Sequence, residues 1–95
     1  MAVAYASARD IAEKLKEPEN AGLLAVAIVI YDLATYRGEV KLEDVASKCL
    51  FDRSLLLKLV SKLESMGVLR VSGDVIKLTP IGKKAIEVAR WGREL

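Results

Sequence analysis

The chain has 95 residues, 53% of them hydrophobic, with a mean hydropathy of +0.27 and a formal net charge of +2. That length builds one domain around one core, and it carries more apolar material than a small monomer readily hides, so a homo-oligomeric interface is expected. With one cysteine, Cys49, and no histidine, a disulfide framework, the usual zinc sites and any His general base are excluded within one chain.

Met1 to Ala8 lacks the basic start and apolar middle of a signal peptide, so a cytoplasmic protein is expected. Ser7-Ala8-Arg9-Asp10 resembles a capping box with Asp in place of Glu, and Ala8, Ile11, Ala12 and Leu15 then recur at helical spacing. This amphipathic helix stops before Pro18. Pro18-Glu19-Asn20 reads as a short break, with Asn20 as the N-cap of the next helix. From about Ala21 to Tyr36 comes a helix apolar nearly all round, the pattern of a helix buried on more than one side. Two covers are open to it: a second subunit at a dimer interface, or the first and last helices of the same chain. Its longest apolar stretch, Ala21 to Tyr31, is shorter than the roughly 20 residues of a membrane span, so no membrane is expected.

Arg37-Gly38 ends that helix, with Gly38 suited to a left-handed cap. Glu39 to Leu42 is a short extended piece placed to pair with a later hairpin. Glu43 to Leu50 reads as a helix, Phe51-Asp52 as a turn, and Arg53 to Met66 as a second helix stopped by Gly67. Val68 to Ser72 and Val75 to Thr79 alternate like strands around Gly73-Asp74, a two-residue hairpin signal. Thr79 then serves as an N-cap with Pro80 at the first helical position. The last helix runs toward Leu95 with Ile81, Ala85, Val88, Ala89 and Leu95 on one apolar face. The reading is a single mainly α domain of α+β class, with about five helices and two or three strands. Its segments are an N-terminal helix (1–19), a central helix (20–37), two helices with a hairpin (38–79) and a C-terminal helix (80–95).

Charge is unevenly placed. Residues 1–50 hold six basic and eight acidic side chains, and residues 51–95 hold nine basic and five acidic. The positive excess lies on the half containing the second helix and the hairpin, which favours a nucleic-acid surface over an ordinary mixed-charge one. There is no Gln and one Asn, while 29% of residues are charged, a composition of heat-adapted proteins. Gly82-Lys83-Lys84 lacks the upstream glycine and strand-to-loop spacing of a phosphate-binding loop, so that reading is rejected. No pair of residues has a spacing that implies catalysis, and neither an enzyme nor a cofactor is expected.

Leu42-Glu43-Asp44-Val45-Ala46, then Cys49, Phe51, Leu56, Leu59-Val60 and Leu63-Glu64-Ser65-Met66-Gly67-Val68-Leu69, resemble a winged helix-turn-helix. The nearest types are the MarR-like and ArsR-like regulators and their archaeal relatives, and Leu78-Thr79-Pro80-Ile81-Gly82 is similar to their strand-to-helix junction. The resemblance covers about residues 38–90. It implies a small dimeric regulator binding double-stranded DNA, with Arg53 to Met66 as the recognition helix. It sets Arg53, Ser54, Leu57, Lys58 and Ser61 toward the major groove: Arg53 for a bidentate guanine contact, Leu57 for a thymine methyl. Lys58 and Lys62 are expected on phosphates, joined by Arg70 and Lys77 from the hairpin stem and flanked by Lys83 and Lys84. Where many members carry Gly in the turn, this chain has Leu50, so a longer or differently shaped turn is expected.

Two features favour a different use of the same fold, a winged-helix protein-interaction module of a transcription or chromosome-associated complex. Leu57 sits on the outward face, and Asp74 occupies the hairpin tip, where an acid repels a phosphate backbone. Cys49, among apolar neighbours, reads as a small buried hydrophobe rather than a redox sensor. Trp91 reads as a dimer or core anchor rather than part of a basic-aromatic patch with Arg90 and Arg93.

Overall fold

In the computed structural model, which describes residues 7–92, the Ser7 hydroxyl accepts the amide of Asp10 at 3.2 Å and opens helix α1 (Ala8–Leu15). The expected apolar positions Ile11, Ala12 and Leu15 are buried. Pro18–Asn20 is a 3-10 turn rather than an open break. Asn20 occupies the N-cap position of the next helix as expected but makes no side-chain capping bond: its amide donates back to the Lys14 carbonyl at 2.8 Å, tying the turn to the end of α1.

Helix α2 (Ala21–Arg37) runs one residue further than expected and ends at Gly38, whose φ of 78° and amide bond to the Ala34 carbonyl at 2.8 Å close it. With its 3-10 lead-in it forms a helical rod over Pro18–Arg37, 20 residues, long and apolar enough by length and composition to cross a membrane. Asp32 and Thr35 interrupt the apolar run without interrupting the helix, and the core helix of a soluble protein meets the same test of length and composition. Here the rod packs against α1 and the rest of the fold, burying Leu23, Val26, Ala27, Ile30 and Tyr31. On its far flank the Tyr31 hydroxyl donates to Glu87 at 2.6 Å, and the Tyr31 ring meets Trp91 edge-on at 5.6 Å. That hydrogen bond to a carboxylate, helped by burial, pushes the Tyr31 phenol up from its ordinary value.

Strand β1 (Val40–Lys41) leads directly into α3 (Leu42–Lys48). The latter starts one residue early, where the Asp44 carboxylate accepts the Lys41 amide at 3.3 Å. It also stops two residues early: Cys49 is already extended (φ −105°, ψ 144°) and Leu50 is fully exposed. Without a glycine to reverse the chain, residues 49–52 form the connection to α4 (Arg53–Ser65). Asp52, read in the sequence only as part of a turn, caps α4 by accepting the Leu55 amide at 2.7 Å.

Gly67, at φ 83°, turns the chain into β2 (Leu69–Ser72), which returns through Gly73-Asp74 as β3 (Val75–Leu78). The sheet is antiparallel in the order β1-β3-β2, with Val40 opposite Ile76, and Arg70 opposite Lys77. One face buries Val40, Leu69 and Ile76, and the other exposes Lys41, Arg70 and Lys77. Helix α5 (Pro80–Trp91) starts as expected, with Thr79 accepting the Gly82 amide at 3.0 Å and donating to the Gly67 carbonyl at 2.5 Å. Its buried face is centred on Gly82, Ala85 and Ile86, whereas Val88 and Ala89 lie at its edge. Gly82 is there for proximity: a Cβ at that position would lie 1.9 Å from the Val68 carbonyl oxygen. Leu95 and Arg93 lie outside the described residues.

Among the described residues the fold is therefore five α-helices and one three-stranded antiparallel sheet. Its radius of gyration, 12.2 Å, is close to the about 12 Å of a folded domain of that length.

Candidate nucleic-acid interface

Helix α4 divides cleanly between an inner and an outer face. Leu56, Val60 and Leu63, with Met66 just beyond, are buried, and Leu59 is half-buried with its tip toward Gly22 of α2. This locks the rotation of the helix about its axis. Arg53, Ser54, Leu57, Lys58, Ser61 and Lys62 are consequently all exposed. Leu57, Lys58, Ser61, Lys62 and Ser65 line one shallow open groove along the helix. Among the described residues, Arg53, Lys58 and Lys62 have no ion-pair partner. The Ser65 hydroxyl is turned back onto the Lys62 carbonyl at 2.7 Å, so Ser61 is the freer hydroxyl of the two.

The hairpin contributes a second, smaller basic surface. Arg70 and Lys77 sit directly opposite one another on the exposed face of the sheet, with Lys41 of β1 on the same face. Lys77 is shared with Glu39, its ammonium 3.9 Å from that carboxylate, so Arg70 is the less encumbered of the pair. Lys77 also lines a cleft of about 270 Å³ with Lys83, Thr35 and Gly38, while Lys84 is exposed on α5. The hairpin tip is anchored, not free: the Asp74 carbonyl accepts the Leu42 amide at 2.8 Å.

Two placements went unread in the sequence. Glu64, on the outer half of α4, accepts the Val71 amide at 3.0 Å and so fixes the edge of β2 beside that helix. Lys41 joins the basic sheet face, which its alternation with buried Val40 would have signalled. Three leucines, Leu50, Leu55 and Leu57, are exposed on or beside the α4 surface, Leu57 to 46%. Cys49 is half-buried, and burial pushes its thiol up, away from the reactive thiolate.

A scan of protein-family models found no match, and searches of curated proteins and of solved structures found no significant one.

Proposed function

We propose that this chain is a small winged helix-turn-helix protein that binds double-stranded DNA as a homodimer and regulates transcription, with α4 entering the major groove. The observation that carries the reading is the outer face of α4. Its cations are exposed and unpaired among the described residues, on a helix whose opposite face is locked into the core. A helix of 13 residues is about 20 Å long and fits a groove about 12 Å wide. The order helix, helix, hairpin, with β1 completing the sheet, supports the winged form of the motif.

In this reading Arg53 and Leu57 face base edges, with Ser54 and Ser61 beside them. Lys58 and Lys62 bind phosphates, and Arg70 adds a phosphate contact from the hairpin. The acid at Asp74 and the tethered hairpin leave little groove reading to the wing. Fluorescence-anisotropy titration against random duplex at several salt concentrations tests the reading, since log affinity falls with a slope of about −0.9 per phosphate contacted. The Lys58→Glu/Lys62→Glu variant should fold normally and lose binding. A variant that bound duplex as the parent does would remove α4 from the interface.

The exposed leucines favour a second reading, a winged-helix module that docks on another protein through the same face. Absence of duplex binding at low salt, together with a stable partner lost on Leu57→Asp, would replace the first reading with this one.

A further inference from the structure

We infer that the outward face of α2 is a self-complementary, antiparallel homodimer interface in which large residues at its C-terminal end seat against small residues at the N-terminal end of a second copy. Only 28% of the most apolar 18-residue stretch of the Pro18–Arg37 rod is buried within the chain. The least covered side is a strip through Ala21, Ala25, Ile28, Val29, Asp32 and Tyr36, a three-and-four spacing that keeps one side of a helix facing a partner, with Ile28 and Val29 also touching the core at its edge. Ala21, Ala25 and Tyr36 are exposed, Tyr36 to 86%, and the other three are half-buried.

Size and charge both point to a second copy as the occupant. Sizes rise along the strip, from Ala21 and Ala25 to Tyr36, so an identical strip complements it only when reversed. Centring a two-fold axis between Ile28 and Val29 sets Tyr36 against the partner's Ala21 and Asp32 against the partner's Ala25. Trp91 is 51% exposed, in edge contact with Tyr31 and with the Arg90 guanidinium 4.8 Å from its ring. It flanks α2 beside Tyr31. The single charge on the strip, Asp32, is already neutralised by Arg90 of its own chain. A symmetric pairing therefore brings no uncompensated like charges together, which an interface of this type requires.

This deepens the dimeric part of the proposed function without depending on DNA. Sedimentation equilibrium of the full chain, without DNA, should give twice the 10.4 kDa chain mass. Ala25→Glu adds a carboxylate on an exposed helical position, opposite Asp32 of the second copy. It should leave the circular dichroism unchanged and weaken association by about 100-fold or more. In a Cys49→Ala background, Ile28→Cys should cross-link to itself on mild oxidation, being near the axis. Tyr36→Cys should not, because its two copies lie about 22 Å apart along the helices.

A monomeric parent, an Ala25→Glu variant as dimeric as the parent, or cross-linking through Tyr36→Cys would each overturn the interface. So would a monomer that co-sediments with phosphatidylglycerol vesicles, which would assign the strip to a lipid surface. A monomer that still binds duplex with a steep salt dependence would remove this interface and leave the DNA reading standing. A dimer without duplex binding would do the reverse.

Discussion

Replacing Gly82 with alanine should destabilise the protein, against the ordinary rule for a glycine inside a helix. Helix propensity alone favours the change by about 1 kcal/mol. The added Cβ, however, would lie 1.9 Å from the Val68 carbonyl oxygen and 2.6 Å from its carbon, both backbone atoms that no rotamer change can move. Contact distances for real Cβ atoms begin near 3.0 Å, so α5 and the start of β2 must part by about 1 Å or more. Overpacking of this kind costs about 1–3 kcal/mol. The same shift loosens the Thr79 cap on Gly82 and the Thr79 bond to Gly67, each about 1 kcal/mol. The balance is a loss of roughly 2–4 kcal/mol, out of a total of about 5–14 kcal/mol expected for a domain of this size. In thermal unfolding it should appear as a fall in Tm of roughly 10–25 °C. Gly22→Ala is the control: its Cβ would meet Phe51 at 3.6 Å and Leu59 at 3.8 Å, ordinary contacts, and it should gain about 0.4–1 kcal/mol. A Gly82→Ala protein that melts at or above the parent temperature would refute the account of the junction.

Asp52→Ala should cost about 1 kcal/mol in urea unfolding, because its carboxylate accepts the Leu55 amide at the start of α4. The Tyr31 phenol titrates higher in the folded protein than in the unfolded chain, so the folded state holds the proton more tightly. The resulting stability is complete below pH about 10 and is lost as pH rises through the raised value. Tyr31→Phe should abolish that step in stability measured between pH 9 and about 12. Cys49 should react with iodoacetamide at pH 8 more slowly than a small free thiol and reach the normal rate only in denaturant. A fast native rate would mean that the connection between α3 and α4 opens readily.

Elements whose ends carry their own chemistry were legible in the sequence. Ser7, Gly38, Gly67, Gly73-Asp74 and Thr79-Pro80 all act where local rules put them. So did the rotation of α4, because Leu56, Val60 and Leu63 repeat at helical spacing and fix which side chains face out. The α5 face was misjudged for a physical reason. Its closest packing runs through Gly82, which adds no hydrophobicity to a periodicity, and this draws Ile86 inward in place of Val88. Roles set by residues distant in sequence were not legible either. Asn20 sits at the N-cap position, but that its side chain turns to Lys14 and makes no capping bond is visible only in the fold, and Glu64 reads as a solvated acid until β2 folds back against α4. Of the candidate interface, the outward positions Arg53, Ser54, Leu57, Lys58, Ser61, Lys62 and Ser65 of α4 were readable, Leu55 was not assigned to that face, and the Glu39 contact that engages Lys77 required the sheet register.

The Glu64 bond to the Val71 amide has a consequence for solubility. β2 is an outer strand of the sheet, and the outward amides of such a strand invite a visiting strand to extend the ladder. With the Val71 amide held by a carboxylate from α4, a guest chain would have to displace a charge-assisted bond and insert beneath a helix before it gained its own first hydrogen bond. The sheet is thereby stopped at three strands on that side, and crowded copies of this apolar protein are denied one route to runaway edge-to-edge polymerisation.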